Sequence, residues 1–572
     1  MPSGATDRFK TVREVECLWG LRIPVRDGVM LNATLYKPQA MAEPLPVLFI
    51  VTPYTADTYH DRALYFAEHE YVVALVDCRG RGNSEGQFVP HANDGLDGFD
   101  IVQWLANQPW SNGRIGMFGG SYEGYVQWAT AKQRPPQLST ITPAASGCPG
   151  VDWPFHNNIL HAYIMQWLTL TSGVTTNRNL GGDRSIWLSV YRRLLMEHLP
   201  MKSLDQLAGN LSTAYQDIIS HHTHDDFWES MLPSSEQYRQ VDIPVLSITG
   251  QYDINQRGAM HFYRNHVENA TPSARSRHYL IVGPWDHKGT GTPSRKVGGL
   301  EFGEESLLDL KRLHVEWYDW VLKGYEQPDF LKRRVAYYLT GADRWEYADD
   351  LDGIARATRV YQLSALPVSS DGIDSGAMHE GKPTCSSPDS YTHDPLDTRI
   401  AELDLEQVDD YLVDQRQVLS LNGNGLLYQT EPFIEELVIT GYLRYVASIA
   451  LDVPDTDFKV TIYEITEAGV SIQLTDDMVR ARYRNSLKAP EAVKPGEINR
   501  YEFKSFRFIS RRLALGSRLR LVLSPVNSIY WERNYNSGGV VAEESAKNAR
   551  VAHITLYHDA EHQSWLELPI SA

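Results

Sequence analysis

The segment that decides the fold is RIGMFGGSYEGYVQWATA, residues 114–131. Arg114 to Phe118 form a short apolar run that is typical of a buried strand, and Tyr125 to Ala131 follow a helical period. Between the two runs lie a pair of glycines and Ser121. A strand-to-helix turn this tight holds a serine hydroxyl above the sheet, so the segment predicts the nucleophile elbow of a serine hydrolase.

The elbow departs from the usual G-x-S-x-G spelling. Glu123 occupies the place of the last glycine, and Gly124 follows one position later. Small residues are needed in such a turn because strand and helix approach closely, and Gly119 and Gly120 supply them before the serine. On the motif alone, a glycine-rich turn with an incidental serine remains a competing interpretation.

Two later segments supply the other members of a catalytic triad. In α/β-hydrolases the order along the chain is serine, acid, histidine, with the acid and the histidine on loops after later strands. The apolar run 245–249 leads into Asp253, and the run 279–282 leads into His287. Asp253 is predicted to orient the imidazole and stabilise its cation, while His287 acts as general base and then general acid toward Ser121.

Two neighbouring residues bear on this assignment. The backbone N–H of Tyr122, at the start of the helix, is predicted to donate to an oxyanion. Asp286 is an alternative acid, but its adjacency to His287 in sequence makes it the weaker candidate because neighbouring side chains usually point apart.

Alternating strands and helices predict an α/β fold with a parallel sheet over about residues 10–325. The segment 21–36, with Arg26-Asp27-Gly28 at its centre, predicts an antiparallel hairpin at the edge of the sheet. The strands are predicted at 46–51, 71–77, 114–118, 244–249 and 279–283, and a helix is predicted at 307–323.

The chain is predicted to contain a hydrolase core in two parts, a cap and an all-β domain. Helical periodicity rich in aromatics, as in 163–168, indicates a helical cap inserted into the core. Short alternating segments in the last third, such as 334–339, 458–465 and 518–523, predict a β-sandwich, and the polar segment 369–395 predicts a long surface loop. The boundaries are 1–150 and 241–328 for the core, 151–240 for the cap and 329–572 for the sandwich.

Composition excludes several function classes. The 572 residues are too many for one hydrophobic core. A formal charge of −18 without any basic block disfavours nucleic acids and anionic membranes as partners. No run reaches the length of a membrane helix, residues 1–10 contain no apolar signal segment, and the four cysteines have no CxxC spacing, which together favour a cytoplasmic protein. The sequence leaves open whether copies of the chain associate.

Two charged clusters have competing interpretations. The segment 221–226, His-His-Thr-His-Asp-Asp, contains metal-ligand residue types, but a helix start capped by acids is the favoured interpretation, and no metal is predicted. Asp77 and Arg79 are more easily explained as braces of a glycine-rich loop than as active-site charges.

Motifs along most of the chain resemble the cocaine-esterase-like (CocE/NonD) branch of the Xaa-Pro dipeptidyl-peptidase superfamily, which also contains glutaryl acylases and α-amino acid ester hydrolases. The spelling with a displaced glycine is the family's own. The similar segments are 52–54 (TPY), 77–86 (DCRGRGNSEG), 108–111 (QPWS), 121–124 (SYEG), 250–253 (GQYD), 283–287 (GPWDH), 322–324 (LKG), 455–458 (DTDF) and 516–521.

The resemblance implies an α/β-hydrolase domain with a helical cap and a C-terminal jelly roll of the galactose-binding type that closes one side of the cleft. It implies that the phenol of Tyr54 is a second oxyanion donor, and core packing of Tyr54 is the alternative. A buried phenol can donate a strong hydrogen bond to developing negative charge. The reaction implied is acyl transfer from an ester or amide to Ser121, followed by hydrolysis without a cofactor.

The substrate is less determined. Trp153, Phe155 and Trp167 resemble the family's aromatics around a hydrophobic acyl pocket, although packing within the cap explains them equally well. Asn255 stands where cocaine esterases carry an aromatic residue, which puts benzoyl specificity in doubt and makes a more polar acyl group conceivable. A small-molecule ester or amide is the predicted partner.

Three alternatives stay open. An α-amino acid ester hydrolase or β-lactam acylase would hold the substrate ammonium with carboxylates, but Asn255 and Gln256 occupy two of those places, and only Asp152 remains as a candidate third. An Xaa-Pro dipeptidyl-peptidase is the second alternative. The third is a non-catalytic protein that binds a ligand on the same scaffold.

Overall fold

The computed structural model describes residues 14–365, 375–382 and 387–571. The first part of the chain alternates strands and helices in the predicted way. Its elements are β1 (Val15–Pro24), β2 (Met30–Pro38), β3 (Leu45–Thr52), α1 (His60–Glu68), β4 (Val72–Asp77), α2 (Asp94–Ala106), β5 (Ser111–Gly120), α3 (Tyr122–Lys132) and β6 (Leu138–Ala144).

A mainly helical region follows, as the sequence predicts for the cap. A two-strand hairpin precedes the helices and was not predicted. The elements are β7 (Phe155–His156), β8 (Ile159–Leu160), α4 (Tyr163–Leu170), α5 (Arg178–Gly181), α6 (Arg184–Met196), α7 (Leu204–Leu207), α8 (Thr213–Ser220), α9 (Asp226–Met231) and α10 (Ser235–Gln240).

The strand–helix alternation then resumes. The elements are β9 (Val245–Gly250), α11 (Gln256–Asn269), α12 (Pro272–Ser276), β10 (His278–Gly283), β11 (Lys296–Val297), β12 (Leu300–Glu301), α13 (Leu310–Lys323), β13 (Val335–Leu339) and β14 (Arg344–Ala348).

The remaining described residues form a β-rich domain. Its elements are β15 (Ala357–Ser364), β16 (Gly376–His379), β17 (Asp389–His393), α14 (Arg399–Glu402), α15 (Arg416–Leu419), β18 (Leu426–Gln429), β19 (Leu437–Gly441), β20 (Arg444–Leu451), β21 (Asp457–Ile465), β22 (Ser471–Arg480), β23 (Ile498–Phe503), β24 (Ile509–Leu513), β25 (Arg518–Pro525), β26 (Ala552–Tyr557) and β27 (Trp565–Ile570).

The first sheet runs in the order β1-β2-β4-β3-β5-β6-β9-β10-β13-β14, with the strands from β4 to β13 parallel. The antiparallel hairpin β1–β2 lies at one edge, which confirms that prediction. Strands such as β4 and β10 are buried along their whole length because helices cover both faces. Phe49 faces the core beneath α2 and α3, whereas its neighbour Leu48 faces the core beneath α1 and α13.

The segment predicted as the first sandwich strand belongs to the other sheet. Val335–Leu339 pairs in parallel with β10, and Arg344–Ala348 closes that edge antiparallel to it. The strand predicted at 334–339 is therefore present, but its assignment to the sandwich was wrong, because alternation of apolar residues indicates a strand and does not identify its partner. The second large sheet begins at Ala357, and the predicted domain boundary at residue 329 stays a prediction.

The β-rich domain has its own hydrophobic core, including Tyr445, Phe503 and Leu521, and the predicted strands at 458–465 and 518–523 are present as β21 and β25. The predicted surface loop 369–395 contains strands β16 and β17, so that prediction was wrong there. Residues 369–374 and 383–386 of this segment lie outside the described residues.

The residues of the cluster at 221–226 cap helix α9 and contact one another. Asp225 caps α9 by accepting a hydrogen bond from the N–H of Phe227 at 3.1 Å, as the helix-start interpretation predicts. His221 bonds to the other carboxylate oxygen of Asp225 at 2.7 Å and stacks on the Phe227 ring. Among all helices of the described residues, none is long and apolar enough to cross a membrane.

Candidate active site

Ser121 lies at the turn between β5 and α3 with φ 61° and ψ −120°. A positive φ is costly for a residue with a side chain, and such strain is characteristic of nucleophile elbows. The turn is held because the N–H of Ser121 donates to the carbonyl of Ala144 on β6 at 2.9 Å, while its own carbonyl accepts from Gly124 at 3.0 Å. The serine is thus fixed at the carboxyl end of the parallel strands.

The displaced glycine has a steric reason. A Cβ on Gly124 would lie 2.5 Å from the Oγ atom of Ser146 and 2.8 Å from the carbonyl of Ala144, so a side chain there would separate α3 from the end of β6. Gly119, at φ 137°, is similarly confined by the Cβ of Glu123 at 2.5 Å. A Cβ on Gly120 would make only ordinary contacts, so the close approach lies at positions 119 and 124 and not at 120.

Asp253 and His287 are joined by a hydrogen bond. The Nδ1 atom of His287 lies 2.8 Å from Oδ1 of Asp253, whose side chain is fully buried. The remaining Asp253 oxygen accepts from the hydroxyl of Thr249 at 2.9 Å, and the N–H of Asn255 donates to Oδ1 at 3.0 Å. The carboxylate is therefore fixed, and it leaves Nε2 of His287 as the nitrogen available to the cavity that Ser121 also lines.

Asp286 does not take this place. Its carboxylate accepts from the N–H of Gly289 at 2.8 Å and caps the turn that follows His287. Burial lowers the pKa of His287, but the charge and hydrogen bond of Asp253, with smaller contributions from Asp286 and Asp152, outweigh it and raise the pKa above its ordinary value of 6.5.

The two predicted oxyanion donors lie next to the serine. The N–H of Tyr122 is the first of α3 and has no acceptor within the helix. The hydroxyl of Tyr54 accepts a hydrogen bond from Nε1 of Trp167 at 2.9 Å. Burial strongly raises the pKa of Tyr54, with Glu123 adding to the effect, so the phenol remains protonated and can donate.

Glu123, the irregular residue of the elbow, is buried beneath this group. Its Oε1 atom accepts from the hydroxyl of Thr52 at 2.7 Å and from that of Tyr59. The Thr52 hydroxyl in turn accepts from the N–H of Tyr54 at 3.1 Å. Burial raises the pKa of Glu123 to about 7, against the lowering effect of these hydroxyls and of His287. Sequence reasoning gave Glu123 no role, because its partners lie far away along the chain.

A cavity of about 350 Å³ joins these groups. Most of its wall is aromatic, which suits an apolar acyl or alcohol group. Trp153 meets Trp167 edge to face with ring centres 5.7 Å apart, and the Trp167 ring stacks on Tyr122 at 5.5 Å. The wall residues are Tyr54, Tyr59, His91, Ser121, Tyr122, Glu123, Tyr125, Gly147, Trp153, Tyr163, Trp167, Leu170, Ile254, Asn255 and His287.

Phe155 does not reach this cavity. It is buried within the cap, where its ring meets Trp228 edge to face at 5.7 Å, so the structure contradicts its placement in the acyl pocket. The carboxylate of Asp152 is likewise outside the cavity, because it binds backbone N–H groups. Its two oxygens accept from the N–H groups of Cys148 and Gly258 at 2.8 and 2.6 Å, and it does not line the cavity.

The β-rich domain supports the site from behind. Gln251 accepts from the N–H of Ser510 at 2.9 Å, and the Gln256 amide bonds both the N–H and the carbonyl of Phe508 at 2.7 and 2.9 Å. These glutamines flank the Asp253 loop. Within the described residues, no side chain of the β-rich domain lines the cavity, so the domain anchors the acid loop and does not form the wall that the resemblance implied.

His91 and Asp94 form a second arrangement that the sequence did not reveal. The hydroxyl of Tyr122 donates to Asp94 at 2.6 Å and accepts from the N–H of His91 at 2.9 Å. Burial raises the pKa of Asp94 to about 7 and lowers that of His91 to about 3, so the imidazole on the cavity wall is neutral.

The segment 77–86 also braces the loop as predicted, since Arg79 bonds Asp97 at 2.7 Å.

The fold and this arrangement of a strained serine, a histidine and a buried aspartate are those of a serine hydrolase, and the esterases among its relatives make the class that of carboxylic ester hydrolases. The model of X-Pro dipeptidyl-peptidases of the S15 family matches residues 27–289, and that of the X-Pro dipeptidyl-peptidase C-terminal non-catalytic domain matches residues 331–567. The chain belongs to the CocE/NonD family of hydrolases within the X-Pro dipeptidyl-peptidase superfamily.

Individual relatives agree with this membership. The cocaine esterase of Rhodococcus sp. strain MB1 Bresler is 27% identical over 96% of this chain and 97% of its own length. A putative serine esterase of Mycobacterium bovis is 23% identical over 99% of this chain and 96% of its own length. Among solved structures, an α-amino acid ester hydrolase superposes with a TM-score of 0.84 at 20% identity, covering 100% of this chain and 98% of the other, which shows the shared fold.

Proposed function

We propose that the protein hydrolyses small carboxylic esters through an acyl-enzyme formed on Ser121. The observation that carries the proposal is that Ser121, in its strained turn, and His287, oriented by the 2.8 Å bond to Asp253, line the same cavity of about 350 Å³. A nucleophile and an oriented base on one cavity are the minimum that this chemistry needs.

In the proposed reaction the Oγ atom of Ser121 attacks the ester carbonyl while His287 takes its proton at Nε2. The N–H of Tyr122 and the hydroxyl of Tyr54 donate to the resulting oxyanion. The carbon–oxygen bond to the alcohol then breaks, and the imidazolium returns the proton to the leaving alkoxide. A water molecule, deprotonated by His287, attacks the acyl-enzyme and releases the carboxylic acid and Ser121.

The cavity supports a neutral substrate. Its volume is at the lower end of small-molecule sites, and its wall is mainly aromatic, with Asn255 and the neutral His91 as polar groups. We therefore propose an ester with a short or single-ring acyl group that carries no charge. Trp153 and Trp167 are the proposed walls of the acyl site.

Recognition of an ammonium group is disfavoured by the same wall. Asn255 and Gln256 are uncharged, Asp152 is bound by two backbone N–H groups, and Glu123, the cavity's acid within the described residues, is engaged by Thr52 and Tyr59. This argues against an α-amino acid ester hydrolase and against a dipeptidyl-peptidase.

The test is a comparison of substrates under one set of conditions. We expect p-nitrophenyl acetate, butyrate and benzoate to be hydrolysed with a burst of nitrophenol, and kcat/KM to fall by about tenfold or more for phenylalanine methyl ester relative to its deaminated counterpart, methyl 3-phenylpropanoate. A preference for the aminoacyl ester, or for glycyl-prolyl p-nitroanilide, would contradict the proposed substrate class.

A cytoplasmic location and a small-molecule ester as the partner complete the proposal. The location is supported by the four cysteines without CxxC spacing, and the small-molecule partner by the size of the cavity that Ser121 lines.

A further inference from the structure

A second cavity, of about 370 Å³, lies where the cap, α11 and the β-rich domain meet. Its wall comes from residues 150, 151, 156, 157 and 224 at the cap, from 257, 260, 261, 264 and 265 of the helix, and from 442, 487 and 504–506 of the β-rich domain. None of these residues lines the candidate active site. The cavity is therefore a separate feature of the fold.

The charged side chains on this wall are cationic. Within the described residues, the wall contains three arginine or lysine side chains and three imidazoles but no carboxylate. Burial lowers the pKa of His156 and lowers that of His261 to about 4, so the positive charge of the wall comes from its arginine and lysine side chains, which make a local site for an anion in a chain with a formal charge of −18. The six residues are His156, His224, Arg257, His261, Arg264 and Lys504.

Two of the cations are available to a ligand. Arg257 is committed to the fold, since it bonds the carbonyls of Ser505 and Asp476 at 2.6 Å each. The guanidinium of Arg264 lies over the Tyr442 ring at 4.4 Å and meets the exposed carboxylate of Asp352 at 3.5 Å, while Lys504 is exposed and makes no ion pair with any described residue. Exposed ion pairs are weak, so Asp352 leaves Arg264 able to bind an anion.

One nitrogen of the His156 ring lacks a hydrogen-bond partner. The ring is 2% exposed and its Nε2 atom lies 2.8 Å from Asp477, but its Nδ1 atom is buried and has no hydrogen-bond partner. Buried polar atoms in folded proteins are nearly always paired. The ring forms part of the cavity wall, with its Nδ1 atom covered by neighbouring protein atoms.

Met260, Tyr442, Leu487 and Phe506 form an apolar part of the wall, beside the uncharged polar residues Asn157, Asn265 and Ser505. We propose that this cavity binds a small organic phosphate monoester with an apolar body. Its phosphate oxygens accept hydrogen bonds from Arg264 and Lys504. The apolar body covers the aromatic and aliphatic wall.

The experiment is calorimetric titration of the full chain at pH 6, where a phosphate monoester is present as both monoanion and dianion. The probes are phenyl phosphate, benzoate and benzylamine, which share a ring and differ in the head group. We expect phenyl phosphate to bind, benzoate to bind with an affinity at least about five-fold lower, and benzylamine not to bind. Binding of benzylamine as tight as that of phenyl phosphate would overturn the proposal.

Variants locate the binding. Arg264→Met and Lys504→Met are each expected to weaken phenyl phosphate about tenfold, with unchanged melting temperature and ester hydrolysis. Lys494→Met is the matched control, since Lys494 is 85% exposed and lies outside the cavity wall, and it should bind like the unmodified protein. Equal affinity in all three variants, or no heat with the unmodified protein at millimolar phenyl phosphate, would overturn the proposal.

Discussion

The indole nitrogen of Trp167, on cap helix α4, donates a 2.9 Å hydrogen bond to the phenol oxygen of Tyr54, which follows strand β3. The bond occupies one lone pair of the phenol and so restricts where its proton can point. Trp167 also forms part of the cavity wall, so a single side chain of the cap both shapes the proposed acyl site and orients the proposed oxyanion donor.

Trp167→Phe should therefore lower kcat and not only raise KM. Loss of one neutral hydrogen bond corresponds to roughly a 2- to 12-fold decrease, whereas Tyr54→Phe should cost roughly 10²–10³-fold in kcat. In the double variant the Trp167 effect should disappear, because its partner hydroxyl is gone. Steady-state kinetics with p-nitrophenyl butyrate measure this cycle, and strictly additive effects would show that Trp167 does not act through Tyr54.

Replacement of Asp253 by Asn should lower kcat by about 10⁴-fold, since an amide favours the wrong imidazole tautomer and no longer stabilises the cation. Asp286→Asn is the matched control. The carboxylate of Asp286 accepts a hydrogen bond from the N–H of Gly289 on the loop after His287, and its loss should change kcat by less than about tenfold. Rates of ester hydrolysis for the two variants decide between the two acids. The reverse order of effects would assign the role to Asp286.

The pH dependence follows from the state of His287. The base must be neutral to accept the serine proton, so kcat/KM should fall as the pH falls through its pKa. Because Asp253 and Asp286 raise that pKa, the acid limb should lie above pH 6.5. Removal of one of the raising charges in Asp286→Asn should move the limb to lower pH. Profiles recorded at the isosbestic wavelength of nitrophenol test this, and a shift to higher pH would contradict the assignment.

Glu123→Gln should change how stability depends on pH. Burial raises the pKa of Glu123 from 4.5 to about 7 in the folded state, so its contribution to stability is complete below pH 4.5 and is lost as the pH rises toward 7 and beyond. Gln keeps an acceptor for Thr52 and Tyr59 but does not ionise. The variant should gain up to about 3 kcal/mol relative to the unmodified protein between pH 4.5 and 8.5.

Denaturant unfolding of both proteins at these two pH values gives the difference in their free energies of unfolding. The other buried carboxyls, Asp94 and Asp152, are present in both proteins, so their contributions largely cancel. Glu561→Gln, in an exposed turn, is the control and should show no such gain. A difference for Glu123→Gln that does not change with pH would mean that Glu123 is not protonated on folding.

The pattern of apolar residues within each segment predicted most of the strands of the parallel sheet. The strand ends that carry Ser121, Asp253 and His287 were found because each follows a short apolar run, and parallel strands bring their carboxyl ends together. Strand β6 was missed because Leu138–Ala144 contains a serine, two threonines and a proline. Strand β13 was recognised but given the wrong sheet, since its pairing with β10 is not encoded in its own alternation.

The hydrogen-bond and packing partners of individual side chains could not be predicted from the sequence for the same reason. Trp167 and Phe155 are both aromatic residues of the cap, and the sequence predicted both to line the cavity. Only the packing in the structure shows that Phe155 contacts Trp228. The bonds from Glu123 to Thr52 and from Gln256 to Phe508 join residues 71 and 252 positions apart. Such contacts depend on tertiary structure, and no spacing rule along the chain contains them.

The central claim, that Ser121 is the nucleophile, is tested most directly by labelling the full chain with a fluorophosphonate and locating the adduct by peptide mass spectrometry. The account predicts one adduct, on Ser121, with parallel loss of ester hydrolysis, no adduct in Ser121→Ala and slower labelling in His287→Gln. An adduct on another serine, or an unlabelled Ser121 in a folded protein that still hydrolyses esters, would contradict it.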